Sequence, residues 1–101
     1  MKLTSKQRAY LRSLASKETA LFQIGKSNLT PEIVQAVEEA FNTREIVKLS
    51  VLKNAVEDPF AMGEALAERS SSTLVEIIGR KIVLYKPFKD DPQIKLPKGN
   101  A

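Results

Sequence analysis

Residues 21–41 read LFQIGKSNLTPEIVQAVEEAF, and this stretch decides the fold because it joins a predicted strand to a predicted helix. The short apolar run 21–24 stops at Gly25 and predicts a strand. At 30–32, Thr-Pro-Glu supplies a hydroxyl N-cap, a proline at the first helical position and an acid in the first turn. Apolar residues at helical spacing continue to Phe41, so the stretch predicts a strand, a turn and a helix.

The segments on either side of this stretch extend the pattern. Residues 4–7 have the capping-box spacing that starts a helix, and Asp58-Pro59 starts another. Further segments rich in branched aliphatic residues predict strands: 45–52, 73–78 and 81–86. The link Gly79-Arg80 predicts a tight antiparallel hairpin between the last two strands. The order helix-strand-helix-strand-helix-strand-strand predicts an α+β fold, with a four-stranded mixed sheet and three helices on one face.

Two aromatic residues and the C-terminal segment complete the predicted layout. Tyr10 and Phe60 lie in or beside apolar helical patterns, which favours the core over a surface role. After Pro87 the charge rises, and prolines interrupt any periodic pattern. We therefore expect one domain over residues 1–88 and a flexible C-terminal tail over residues 89–101.

The composition limits the class of protein. With 101 residues, 43% of them hydrophobic and 28% charged, the chain suits a single globular domain. It has no cysteine and no histidine, which removes disulfides, thiolate metal sites and the commonest general base. No segment has the length and apolar character of a membrane span. We expect a cytoplasmic protein that is not an enzyme and has no metal, cofactor or small-molecule substrate.

Positive and negative residues are segregated along the chain. Residues 1–26 carry six Lys or Arg against one acid, and residues 73–101 carry six against three. Residues 27–72, in contrast, carry four against eight. If the two basic ends meet in space, they form a positive surface suited to a polyanion such as nucleic acid. The alternative is a soluble surface on which charge is simply uneven.

The turn at 25–28, Gly-Lys-Ser-Asn, allows three interpretations. A nucleotide-binding P-loop needs a glycine five residues before its Gly-Lys-Ser, where this chain has Ala20. A short glycine-led loop followed by a helix also suits an RNA backbone, as in the Gly-x-x-Gly loop of KH domains. The third interpretation is a plain strand-to-helix turn, in which Gly25 and Asn28 provide unusual backbone angles.

In the RNA interpretation, each part of this turn has a role on phosphate. Gly25 permits close approach of the backbone, Lys26 supplies charge and Ser27 supplies a hydroxyl donor. The free N–H groups of the helix that starts at Thr30 favour an anion nearby. These contacts position a backbone and carry no information about base identity.

Taken together, three segments resemble a known family. QIGKSNLTPEIVQAVEEAF at 23–41, IVKLSVL at 46–52 and IIGRKIVLYKP at 77–87 are similar to the CRM domain, the chloroplast RNA splicing and ribosome maturation module. In its stand-alone bacterial form this module is the YhbY-like ribosome-associated protein. The resemblance covers residues 3–87, and its specificity comes from the combined spacing of the segments.

The resemblance implies a fold similar to the C-terminal domain of translation initiation factor three. It also implies association with precursors of the large ribosomal subunit, whereas plant relatives act in intron splicing. The family's Gly-x-x-Gly loop matches Gly25, Lys26 and Ser27, and Asn28 stands where the family has its second glycine. Asparagine tolerates the left-handed conformation better than most residues, so the loop can keep its shape.

We therefore predict a non-catalytic RNA-binding protein that associates with precursor large-subunit rRNA. The turn 25–28 and Thr30 are expected to hold phosphate. Cationic residues elsewhere are expected to extend the positive surface: Lys6, Arg8, Arg12, Arg80 and Lys81. A protein-interaction module that uses an open sheet face or the acidic segment is the alternative function.

Overall fold

The computed structural model describes residues 2–98, and its elements follow the predicted order. The helices are α1 (Ser5–Ala15), α2 (Pro31–Ala40) and α3 (Pro59–Arg69). The strands are β1 (Phe22–Ile24), β2 (Ile46–Val51), β3 (Thr73–Ile78) and β4 (Lys81–Tyr85). The predicted α+β fold, with three helices and a four-stranded mixed sheet, is confirmed.

Each helix begins at the polar side chain that the sequence predicts. Thr4 and Gln7 form both hydrogen bonds of the capping box, each 3.1 Å long. The side chains of Thr30 and Asp58 each accept a hydrogen bond of 3.2 Å from the N–H three residues later. These caps satisfy N–H groups that have no partner within the first helical turn, so local sequence fixes the helix starts.

The four strands form one sheet in the order β1-β2-β4-β3. β1 and β2 are parallel, which requires the crossover through α2, and the other two pairs are antiparallel. The β3–β4 hairpin turns at Gly79-Arg80, with Gly79 at a φ of 60°. Glycine at the first position of a two-residue hairpin turn allows this positive φ without strain.

Helices cover both faces of the sheet, which corrects the expectation of three helices on one face. α2 and α3 pack on one face, where Val37 and Met62 meet Leu49 of β2. α1 lies on the opposite face, where Leu11 meets Val83 of β4. Buried residues occupy successive positions of β4, so both of its faces are apolar. Strands that are apolar on both faces need cover on both, which a continuous apolar run signals.

The segment after β4 also packs on the α1 face of the sheet. Ile94 and Leu96 are partly buried against the core that α1 forms. The carboxylate of Glu45, which is 4% exposed, accepts three main-chain hydrogen bonds. The donors are the N–H groups of Phe88 at 2.8 Å, Gln93 at 2.9 Å and Ile94 at 2.7 Å. These contacts do not fit the flexible tail expected from residue 89, and residues 99–101 of that tail lie outside the described residues.

Candidate nucleic-acid interface

Three connections meet at one end of the sheet, which we name the loop end: the β1–α2 loop (25–30), the β2–α3 loop (52–58) and the β3–β4 turn (79–80). Because β1 and β2 are parallel, their last residues Ile24 and Val51 are register partners. β4 starts beside them, since Lys81 pairs with both Ser50 and Ile78. The loop end therefore brings the turn 25–28 to the same side of the molecule as the β3–β4 turn.

The turn 25–28 is closed by a hydrogen bond of 2.9 Å from the Asn28 N–H to the Gly25 carbonyl. Lys26 and Ser27 at its tip are exposed. Their N–H groups donate no hydrogen bond to another residue of the described range 2–98. The tip therefore offers two amide donors, an ammonium group and a hydroxyl group to a ligand.

Asn28 shapes this turn through both its backbone and its side chain. It has a φ of 55°, in the left-handed region that the sequence interpretation assigned to it. Its Oδ1 accepts hydrogen bonds from the N–H groups of Val56, at 3.2 Å, and Glu57, at 3.3 Å. Because this oxygen is already bonded to the β2–α3 loop, Asn28 contributes to the interface by fixing two loops against each other.

The plain-turn interpretation gave Gly25 an unusual backbone angle, but its φ is not positive. Among the described glycines, Gly79 is the one with a positive φ. A Cβ at position 25 would lie 3.4 Å from Asn54 Oδ1 and 3.5 Å from Leu52 Cδ1. These are ordinary contact distances, so neither φ nor crowding requires a glycine for folding. The missing side chain would point toward the β2–α3 loop, so the absence of a Cβ lets the backbone at Gly25 lie close to that loop.

Thr30 acts mainly as the cap of α2. Its Oγ1 accepts the hydrogen bond from the Ile33 N–H, and Pro31 at the first helical position has no N–H to offer. The carboxylate of Glu32 in the same turn already interacts favourably with the positive end of the helix. The helix start therefore orients the turn 25–28, but it leaves few main-chain N–H groups that could bind an anion.

Arg80 joins the β3–β4 turn to the end of β2. Its Nε donates to the Val51 carbonyl at 2.9 Å, and its Nη2 donates to the Leu52 carbonyl at 2.7 Å. A guanidinium has five N–H donors, so donors remain after these two bonds. Lys81 is exposed, and it lies on the α1 face of the sheet because it alternates with Ile82, which packs on the other face. Arg80 is thus held in place beside Leu52, which neighbours Gly25.

Lys53 is a cation of the loop end that the sequence interpretation missed. It is exposed and stands between Leu52 and Asn54, the two residues nearest to the missing Cβ of Gly25. A predicted parallel pairing of β1 with β2 would have revealed Lys53. The residues that follow two parallel neighbouring strands lie at the same end of the sheet. The β2–α3 loop also carries Glu57 and Asp58, so charges of both signs occur at the loop end.

The cations of α1 do not join the turn 25–28 in one cluster. Arg12 Nη1 forms an ion pair of 3.0 Å with Glu76 Oε2 on β3. Arg8 lines a groove together with Glu64 and Glu76. Lys6 is exposed on the side of α1 away from the buried Ala15. Arg8 and Arg12 therefore lie beside carboxylates. Lys6, the third predicted contact of α1, lies on the side of the helix away from Ala15.

Two aromatic residues that the sequence assigned to the core are exposed. Phe60 is 54% exposed and Tyr10 is 39% exposed. Phe60 lies on the flank of α3 beside the face that buries Met62 and Leu66, and Tyr10 precedes the buried Leu11 on α1. Apolar spacing alone did not distinguish the buried face of each helix from its flank.

Within residues 2–98, no group of three or more His, Cys, Asp or Glu side chains could hold a metal ion. No helix formed by the same residues has the length and apolar character needed to cross a membrane. Beside the carboxylates of Glu57 and Asp58, the loop end has main-chain N–H donors, hydroxyls and cations, which are typical contacts to phosphate oxygens.

Residues 3–86 match the family model of the CRS1 / YhbY (CRM) domain. The chain belongs to the CRM-domain family. This match spans α1 through β4, so it includes the turn 25–28, the β2–α3 loop and the β3–β4 turn.

Two proteins are similar to this chain along nearly its whole length. Probable RNA-binding protein YqeI of Bacillus subtilis (strain 168) is 45% identical over 95 residues, which cover 94% of this chain and 99% of that protein. An RNA-binding protein of Haemophilus influenzae is 28% identical over 96 residues, which cover 95% of this chain and 96% of that protein.

A solved structure also matches this CRM domain. The solution structure of a hypothetical Staphylococcus aureus protein, described as a candidate RNA-binding protein, aligns with a TM-score of 0.80 and 38% identity. The alignment covers 95% of this chain and 100% of that protein. The arrangement of three helices and four strands is therefore shared with a solved structure.

Proposed function

We propose that this CRM-domain protein binds RNA without catalysing a reaction, and that its target is precursor rRNA of the large ribosomal subunit during ribosome assembly. RNA binding is supported by the names of two relatives, a probable RNA-binding protein of Bacillus subtilis and an RNA-binding protein of Haemophilus influenzae. The proposed rRNA target rests on the resemblance to the stand-alone bacterial form of the domain. The protein acts in the cytoplasm, where ribosomes are assembled in bacteria.

The observation that carries the proposal is the exposed tip of the turn 25–28. Lys26 and Ser27 offer their side chains, and their two N–H groups have no partner within residues 2–98. Preorganised amides and an adjacent cation bind a phosphate oxygen well because they need no rearrangement on binding. Gly25 next to them lets the turn pack closely against Leu52 and Asn54 of the β2–α3 loop, which supports the position of the tip.

Further cations allow the RNA backbone to continue along the loop end. Arg80 retains free N–H donors beside Leu52, Lys53 is exposed in the neighbouring loop, and Lys81 is exposed at the start of β4. Each cation that neutralises a phosphate releases counterions, so binding weakens as salt concentration rises. All of these contacts act on the backbone, which makes the loop end a positioning surface rather than a reader of sequence.

Recovery of RNA crosslinked to the protein in living cells tests the proposal. We expect sequences of the large-subunit rRNA, including precursor segments that the mature rRNA lacks, and co-sedimentation of the protein with incomplete large-subunit particles. Recovery of mature rRNA alone, or of other classes of RNA, would contradict the assembly role. Recovery of no RNA above background would contradict RNA binding itself.

A control separates RNA binding from a protein-interaction function. If the particles release the protein after nuclease treatment and in high salt, RNA holds it there, because both treatments act on nucleic-acid contacts. A complex with a ribosomal protein that persists under both treatments would favour the interaction module instead.

A further inference from the structure

A groove of about 520 Å³ runs along the outer edge of β3, away from the turn 25–28. β3 is the last strand of the sheet, so no strand of the described chain covers this edge. Arg8 of α1 lies on one side of the groove, and Phe60 and Glu64 of α3 lie on the other. Leu74 and Ile77 of β3 form part of its floor. The groove thus combines an apolar floor with an aromatic ring, a guanidinium and a carboxylate.

Two side chains of this groove have unused capacity for contacts: an exposed aromatic ring and a buried donor without an acceptor. Phe60 is 54% exposed, which is unusual for a phenylalanine in a folded domain. Arg8 Nε is buried but has no hydrogen-bond partner among residues 2–98. A buried donor without an acceptor is costly, and because Nε is closed off from solvent, the guanidinium must turn toward the groove before a ligand acceptor can reach it.

The charges of the groove favour a nucleobase over a phosphate. Arg8 is its cation, whereas Glu64 and Glu76 both line it, and Glu76 is also paired with Arg12. A phosphate group would be repelled by these carboxylates. A base is neutral, has donors and acceptors at its edge, and has a flat face that stacks on aromatic side chains.

We propose that this groove binds one unstacked base of a single-stranded RNA segment, with the base stacked on Phe60, Glu64 accepting from an amino group and the Arg8 side chain lining the opposite side. The inference rests on the proposed RNA-binding function and adds a base contact to it. β1 and β3 are separated by three strand spacings, or roughly 14 Å, so one strand of RNA can contact both the turn 25–28 and the groove. Arg80 and Lys81, in the β3–β4 turn and at the start of β4, lie along that path.

The proposal predicts a preference among bases. A carboxylate accepts from the amino groups of cytosine, adenine and guanine, and uracil has no amino group. We therefore expect the protein to bind oligocytidine more tightly than oligouridine of equal length. Glu64→Gln should reduce this difference, because an amide is both donor and acceptor and tolerates either base.

The decisive experiment measures the affinity of the full chain for single-stranded oligocytidine of about twelve nucleotides by fluorescence anisotropy at several salt concentrations. Phe60→Leu removes the ring but keeps an apolar side chain, and we expect it to weaken binding roughly five- to a hundredfold. The dependence of affinity on salt should stay unchanged, because no phosphate contact is lost. Phe60→Tyr keeps the ring and should bind as the wild type does.

Tyr10→Leu is the matched control, because it removes another exposed ring, 39% exposed, that does not line the groove. Its affinity should equal that of the wild type. If Phe60→Leu binds as tightly as the wild type while Lys26→Ala binds more weakly, the groove inference fails and the proposed function stands. If the wild-type protein binds neither oligonucleotides nor rRNA, both fail. If Phe60→Leu keeps its affinity for RNA but no longer binds a protein that the wild type binds, the base-binding role is also overturned.

Discussion

The side-chain Oδ1 of Asn28 accepts a hydrogen bond of 3.2 Å from the backbone N–H of Val56, in a different loop. A second bond of 3.3 Å, from the Glu57 N–H, strengthens this link. The turn that presents Lys26 is therefore attached to the loop that leads into α3. Asn28 also has a φ of 55°, so one residue both closes the turn and ties it to its neighbour.

Substitutions of Asn28 should separate its two contributions. Asn28→Gly keeps the left-handed backbone but loses both hydrogen bonds, so we expect the free energy of unfolding to fall by about 1 kcal/mol. Asn28→Ala also strains the backbone and should cost roughly 1–2 kcal/mol more. Urea denaturation measures both values, and hydrogen exchange at Val56 and Glu57 should accelerate in each variant. Equal stability of the two variants would show that the left-handed φ contributes nothing.

Lys26→Ala should weaken RNA binding for all sequences alike, because Lys26 is proposed to contact phosphate. The slope of log affinity against log salt should become shallower by about one, as for one lost phosphate contact. Lys17→Ala is a suitable control, since Lys17 is exposed but lies in the connection before β1. An unchanged affinity and slope in Lys26→Ala would return the turn 25–28 to a purely structural role.

Gly25→Ala should weaken RNA binding without unfolding the protein. The added Cβ meets Asn54 and Leu52 at 3.4 and 3.5 Å, so the melting temperature should change by less than about 4 °C. The same methyl group is expected to push the turn 25–28 away from the β2–α3 loop and so to displace the N–H groups proposed to bind phosphate. Anisotropy with rRNA fragments and thermal denaturation check the two parts. Full RNA affinity in a folded Gly25→Ala protein would argue against phosphate binding by these N–H groups.

Glu45→Ala should release the C-terminal segment. Glu45 holds the N–H groups of Phe88, Gln93 and Ile94 at 2.7 to 2.9 Å, and hydrogen bonds to a charged acceptor are stronger than neutral ones. We expect the free energy of unfolding to fall by roughly 2–4 kcal/mol. Hydrogen exchange should rise first at residues 88–94, while α2 and α3 stay protected. Continued protection of residues 88–94 would mean that Ile94 and Leu96 suffice to hold the segment.

Tyr85 should make stability depend on alkaline pH. Burial, with a smaller effect from the Glu45 carboxylate, raises the pKa of Tyr85 above its ordinary value of 10.0. The unfolded chain therefore loses this proton at a lower pH than the folded chain does, so the Tyr85 contribution is complete below pH 10.0 and is lost as pH rises above it. Unfolding free energies measured across this range should fall less steeply for Tyr85→Phe than for the wild type. Parallel curves would contradict the shift.

The helix starts, the order of the elements along the chain and the β3–β4 hairpin were predictable because their causes are local. The caps Thr4, Thr30 and Asp58 act within three residues, and the Gly79-Arg80 turn needs no distant partner. The expectation of one covered face failed because it was drawn from the order of the elements and did not use the continuous apolar run of β4. The sequence signal of a sheet covered on both faces was the unbroken run of apolar residues from Ile82 to Tyr85, all of which are buried.

The candidate site was predictable only in part. The turn 25–28 was found from its residue types, and its left-handed position proved to be Asn28 rather than Gly25. Lys53 was missed because it reaches the loop end through the pairing of β1 with β2. The acids beside Arg8 and Arg12 are also distant in sequence, so counting charges along the chain could not reveal them.

The sequence by itself determined the elements of this protein, their order, the caps that start its helices and its membership of the CRM-domain family, since these depend on short-range patterns and residue types. Tertiary structure decided which charges stand together, which aromatic rings reach the surface and how Asn28 joins two loops. These properties arise from side chains that are far apart along the chain and become neighbours only when both faces of the sheet are covered.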